Sequence, residues 1–273
     1  MLRLNLGDFL VLSLATILGA LNLISADISE WAALGLIILA GIPHGAFDLR
    51  IAKKKWNKAN SLIVPIYLAA GLGMSALCLA KPGLGLIVFF VISIIHFIEG
   101  EYVNSTRLGA FSFGTGAILL PIALNIRDAL TYLNYFTTSS VKLFLNDYLP
   151  PLGLAWIFLL IISLIIDLFS QRKSELFQKL VCLIGWLTLP PLSAFAIWFI
   201  GRHSRLHLQG CREFFKKGGG IVPVDFFAIS ILAIGLITPL FLRFNISKIE
   251  ELFTATIILI AGLTLPHMLV VRR

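Results

Sequence analysis

Charge is scarce in this 273-residue chain. Only 13% of residues are Asp, Glu, Lys or Arg, 58% are apolar, and the mean hydropathy is +0.95. A soluble domain carries about a quarter charged residues, so an ordinary cytosolic globular protein and any disordered class are excluded. Acidic residues are the scarcer sign: 14 Asp and Glu stand against 22 Lys and Arg, for a net charge of +8. In so apolar a chain the basic surplus points to loops beside anionic lipid, and no nucleic-acid partner is expected. Cysteine is short too. Cys78, Cys182 and Cys211 are odd in number and lack a CxxC spacing, which argues against a disulfide framework or a zinc ribbon. There is no GxSxG, GxGxxG or P-loop, and Gly218-Gly219-Gly220 follows no strand.

Apolar runs of near-bilayer length are what the sequence has in quantity. They fall at about 6–24, 31–50, 61–80, 84–102, 151–170, 180–206, 224–243 and 251–271, and each crossing takes ~20 residues. The prediction is an all-α fold, a polytopic transmembrane helix bundle of about eight spans, in one integral membrane domain over 1–273. Short polar separators at 26–30, 53–58, 81–83 and 172–179 divide the runs. The first run contains Asp8 and has no A-x-A site after it, so it reads as a retained helix. A ninth run, 109–126, is interrupted by Gly114, Gly116 and Pro121, and 127–150 is half polar.

Loop charge decides the parity. With a cytoplasmic N-terminus and eight spans, only Lys81, Arg172, Lys173, Lys179, Arg243 and Lys248 lie outside. Nine spans divide the basic residues almost evenly, so the positive-inside rule prefers the first topology. Segments 109–126 and 129–147 then form a re-entrant pair or two further crossings, which raises the count to ten. Pro190-Pro191 should kink the sixth run. The expected location is the cytoplasmic membrane, multi-pass.

In this topology all five histidines, His44, His96, His203, His207 and His267, fall toward the cytoplasmic end of a span. A histidine at membrane depth is costly and needs a partner. One alone reads as a helix-helix hydrogen bond; five at one level read as a site. His203 and His207 are four apart, on one helical face, and can chelate one metal. His44 and His96 complete a neutral four-imidazole set. Imidazole suits iron, copper or zinc, and a neutral set in an apolar bundle favours Fe(2+) over structural zinc. Metal-bound imidazoles usually give their second nitrogen to a carboxylate or carbonyl. Asp48, one turn after His44, and Glu101, five after His96, are expected behind the ligands, together with His267. The competing expectation for Asp48 is an ion pair with Arg50, Arg202 or Arg205. Phe47, Phe97 and Trp198 are candidates for a substrate tunnel, with helix packing the competing explanation for each.

Four of these segments resemble the Brp/Blh family of bacterial and archaeal integral-membrane β-carotene 15,15′-dioxygenases. They are Gly41-Ile42-Pro43-His44-Gly45-Ala46-Phe47-Asp48, Ser93-Ile94-Ile95-His96-Phe97, Arg202-His203-Ser204-Arg205-Leu206-His207 and Leu265-Pro266-His267-Met268-Leu269-Val270. By that resemblance His44, His96, His203 and His207 match the family's iron ligands. The resemblance implies central cleavage of β-carotene by O2 into two all-trans retinals, which would serve a microbial rhodopsin. The sequence departs from the pattern at Ile98 and Glu101, where the family usually has glycine and aspartate, and at Arg202, where tryptophan is common.

The alternatives are another histidine-ligated membrane oxygenase, acting on a different carotenoid or lipid, and a metal or cation transporter. Membrane di-iron desaturases use about eight histidines, so five are too few for two metals. No inverted repeat supports a transporter.

Overall fold

The computed structural model describes residues 5–45, 47–55, 62–102, 105–169, 173–215, 242–244 and 247–271, without the side chains of 42–44, 173–175 and 212–215. The side chain of His44, the triglycine 218–220 and nearly all of the expected span 224–243 therefore lie outside the described residues.

Among the described residues the fold is all helical, with no strand. In chain order the helices are α1 (Leu6–Ile24), α2 (Ala26–His44), α3 (Asp48–Lys55), α4 (Ile63–Ala80), α5 (Pro82–Glu101), α6 (Arg107–Leu124), α7 (Ile126–Tyr132) and α8 (Ser139–Phe169). There follow α9 (Lys173–Thr188), α10 (Pro191–Trp198), a π-helical segment Phe199–Ser204, α11 (Arg205–Phe215) and α12 (Ile249–Val271). Helices α1, α4, α5, α6, α8 and α12 are each long and apolar enough to cross a membrane. Large apolar side chains such as Leu6, Phe158 and Ile87 are exposed on them, as lipid-facing positions require. This is a polytopic helical membrane protein.

The chain divides into two compact units. One comprises 1–37, 94–131 and 138–207; the other comprises 38–93, 132–137 and 208–273. The boundaries fall inside α2, α5, α7 and α11 and between α7 and α8.

In the first unit α1 opens with a capping box. Asp8 N donates to Asn5 Oδ1 at 3.1 Å, and Asp8 Oδ2 accepts from Asn5 N at 2.8 Å. Asp8 is thus a helix start, which is why it sits in an otherwise apolar run. The separator expected at 26–30 is the first turn of α2, and its Glu30 is buried. Glu30 accepts from Leu192 N (3.2 Å) and Ser193 N (2.9 Å). It therefore caps α10, whose own N-cap, Pro190, offers no side-chain acceptor.

Two expectations change here. The run 180–206 is not one kinked span. Gln178 Oε1 accepts from Arg202 Nη1 (3.3 Å) and Arg205 Nη2 (2.8 Å), and a Cβ on Gly185 would lie 2.9 Å from Ile197 Cδ1. Pairing 178 with 202–205 and 185 with 197 makes α9 and the α10–π segment an antiparallel hairpin that turns at Leu189-Pro190. Proline removes the donor that a continuous helix would need, and the Glu30 cap fixes the turn. The run 109–126 is one continuous helix, α6, despite its glycines. Gly114 sits where a Cβ would lie 2.6 Å from Ile98 N on α5, so the glycine permits close helix packing rather than breaking the helix.

In the second unit α4 packs on α12 through small residues. A Cβ on Gly71 would lie 2.8 Å from Gly262 O, and Ser75 Oγ donates to Ile258 O at 3.3 Å. The expected span 31–50 breaks after α2: Asp48 N donates to Gly45 O at 3.1 Å, and Asp48 begins α3. His44 and Asp48 therefore do not lie on one continuous helix. Ala52, Ile63, Tyr67 and Val270 form a buried apolar cluster in this unit.

Candidate metal centre

His96, on α5, and His203, on the π segment, are both buried in the first unit. Their Nε2 atoms lie 3.2 Å apart, and their rings meet edge-on at 4.9 Å and 85°. A Cβ on Gly100 would lie 3.3 Å from His203 Cε1, so a glycine one turn after His96 makes room for this ring. The π turn holds an extra residue relative to an α turn and redirects the side chains after it. His207, half-buried on α11, has its ring centroid 6.3 Å from that of His96.

Aromatic rings wall the pair. Trp198 stacks on His203 at 5.0 Å and 22°, Phe199 at 6.0 Å and 21°, and Phe97 meets it at 4.7 Å and 67°. Two of the three expected tunnel residues, Phe97 and Trp198, thus pack on His203. Phe47 is buried in the second unit.

Does this donor set fit a metal ion? Two nitrogens bound to one ion at about 2.1 Å lie roughly 3.0–3.4 Å apart, and the His96–His203 separation falls in that range. The donors are neutral imidazoles with no sulfur among them, which suits a first-row divalent ion. Among the described residues no three of His, Cys, Asp and Glu are yet gathered closely enough to hold an ion. A third ligand from this unit requires the His207 ring to turn toward the pair.

The carboxylate expected behind the ligands does something else. Glu101 binds Arg202 in a two-pronged pair, Nε to Oε1 at 2.8 Å and Nη2 to Oε2 at 2.9 Å, both residues buried. Ser105 Oγ adds a hydrogen bond to Oε2 at 3.2 Å. The network continues through Gln178, whose Nε2 donates to Asp8 Oδ1 at 2.9 Å, and beside it Lys179 pairs with Asp167. Two of the positions that depart from the resembled pattern, Glu101 and Arg202, therefore face each other as one ion pair. It anchors the residue directly before His203. Sequence reasoning did not find this network. The available signal was the presence of Asp167, Lys179 and Arg202 inside apolar runs, since charges at that depth need each other.

In the second unit His267 Nδ1 lies 2.8 Å from Asp48 Oδ1, and Tyr67 Oη donates to Asp48 Oδ2 at 2.8 Å. All three residues are buried. Asp48 thus holds His267 and Tyr67, while Arg202 and Arg205 bond to Glu101 and Gln178. Tyr67 was missed, although a tyrosine hydroxyl in an apolar span calls for a partner.

These features define a class, an integral-membrane helical protein with a buried imidazole pair. The family model described as beta-carotene 15,15′-dioxygenase matches residues 35–273, and the chain belongs to that family. It is similar to a protein named beta-carotene 15,15′-dioxygenase from uncultured marine bacterium 66A03, 26% identical over 259 residues, covering 89% of this chain and 92% of that one. No solved structure matches.

Proposed function

We propose that this protein cleaves β-carotene at its central 15,15′ double bond with O2, using ferrous iron, and yields two all-trans retinals. The observation that carries the reading is the buried His96–His203 pair, nitrogen to nitrogen at 3.2 Å, in a membrane chain of this family. The proposed ligands are His44, His96, His203 and His207, with His44 assigned from its place in the sequence. A bound ferrous ion would supply the electrons that activate O2.

The chain's own residues do the rest. Phe97, Trp198 and Phe199 pack on His203 and keep water from it. The Glu101–Arg202 pair fixes the π turn that presents His203. Asp48 sets the tautomer of His267 by accepting from its Nδ1. A hydrocarbon of this kind dissolves in the bilayer, so an enzyme embedded there meets its substrate directly. The retinal would pass to a microbial rhodopsin.

The proposed location is the cytoplasmic membrane, with the N-terminus and the iron site toward the cytoplasm. Crossings by α6 and α8 leave parity unchanged, and the α9–α10 hairpin returns to the side it left. With the crossing expected from the sequence at 224–243, ten spans leave only Lys81, Arg127, Lys142, Arg243 and Lys248 on the far side. That is a sharper bias than eight spans give.

Colour tests the activity. Cells that make β-carotene should lose yellow pigment and accumulate retinal when they express this protein. A chelator should stop the loss, and ferrous iron but not zinc should restore it. Retained pigment in cells with membrane-inserted protein would refute the reading.

A further inference from the structure

Three indole N–H groups in the first unit invite comparison. Trp156 Nε1 donates to Ser112 O at 2.9 Å. Trp186 and Trp198 are both 0% exposed, and among the described residues neither Nε1 has an acceptor. Ser204 Oγ, buried at the other end of the π turn, also lacks a partner among the described residues. More than about nine in ten buried polar groups are paired, and leaving one unpaired destabilises the fold. Each of these donors therefore calls for an explanation.

The two unpaired indoles differ in setting. Trp186 packs against Phe113, centroids 5.6 Å apart. Trp198 lies flat on His203 and meets Phe97 edge-on at 4.6 Å. Trp198 and Ser204 bracket the π turn that carries His203, so two donors stand at the two ends of a segment that presents a candidate ligand. π turns of this kind are frequent at functional sites.

We infer that the Trp198 N–H is held for an oxygen atom of the bound ligand, the carbonyl oxygen of an oxygenated polyene such as a retinoid aldehyde. This deepens the cleavage reading above and rests on it. β-Carotene is a hydrocarbon and gives an N–H nothing to bind. Each cleavage product carries one aldehyde oxygen. The N–H edge of the indole serves only the oxygenated product. One neutral hydrogen bond is worth ~1 kcal/mol, roughly fivefold in affinity.

The test adds all-trans-retinal to the purified full chain in nanodiscs and reads the C=O stretching band. In the wild type the band should fall below its position in empty nanodiscs, as hydrogen bonding weakens the C=O bond. Trp198→Phe keeps a ring on His203 and removes the N–H. It should return the band and weaken retinal binding roughly fivefold more than it weakens β-carotene binding. Trp186→Phe removes the other unpaired indole N–H and should leave band and affinity unchanged. A wild-type band equal to that in empty nanodiscs overturns the inference without any variant. A shift that survives Trp198→Phe, or is lost equally in Trp186→Phe, overturns it as well. The cleavage reading fails separately, when wild-type protein forms no retinal from β-carotene.

Discussion

The two units treat their buried histidines in opposite ways. In the first, His96 and His203 meet nitrogen to nitrogen among aromatic rings, and the carboxylate of Glu101 is taken up by Arg202. In the second, His267 is tied to Asp48, and Asp48 to Tyr67. An imidazole nitrogen facing another across 3.2 Å in apolar surroundings has a lone pair suited to a metal. An imidazole held at Nδ1 by a carboxylate has its tautomer and ring direction fixed. The first arrangement suits a ligand, the second a positioned group, and the contrast lies in where each unit's carboxylate goes.

Replacing a histidine of the first unit gives the largest effect. His96→Ala and His203→Ala should abolish retinal formation and iron uptake, beyond the loss of about 10–100-fold typical of an outer partner. His267→Ala should keep its iron and slow cleavage. Iron loss in His267→Ala as complete as in His203→Ala breaks the contrast.

Next comes the ion pair. Arg202→Met leaves Glu101 charged and buried, at a cost of about 3–5 kcal/mol, which should appear as a large fall in Tm in detergent. Adding Glu101→Leu should recover most of it, because a well-packed apolar pair often replaces a buried ion pair without loss. A single variant as stable as wild type would deny the pair its anchoring role.

In the second unit, Asp48→Asn should keep its iron and slow cleavage as His267→Ala does, because Asp48 holds His267 and not a proposed ligand. Tyr67→Phe removes one hydrogen bond to the same carboxylate and should cost the least, on the order of 1–3 kcal/mol in unfolding free energy. Activity that falls further in Tyr67→Phe than in Asp48→Asn would reverse the order proposed for the triad.

The sequence marked α1, α4, α5 and α12 to within two residues or so, because their apolar runs end at strong punctuation: Asn5 at one start, Lys81-Pro82 between two others. The hairpin of α9 and α10 was hidden for a physical reason. Hydropathy stays high across Leu189-Pro190-Pro191, and a proline pair does not distinguish a kink from a reversal. What separates the two is that Gln178 meets Arg202 and Arg205, and only a reversal brings them together. The His203–His207 spacing was readable at once. The π turn beneath it was not, since no periodicity announces it. The Asp48–His267 bond joins residues 219 apart, beyond any local pattern, so Asp48 was assigned to His44, its neighbour in sequence.

Iron K-edge absorption on anaerobically loaded protein tests the central claim most directly. The account predicts about one iron per chain, with a nitrogen shell bearing the multiple-scattering signature of imidazole and no sulfur. That signature should vanish in His203→Ala and persist in His267→Ala. A shell unchanged in His203→Ala, or protein that takes up zinc and cleaves β-carotene without iron, would contradict it.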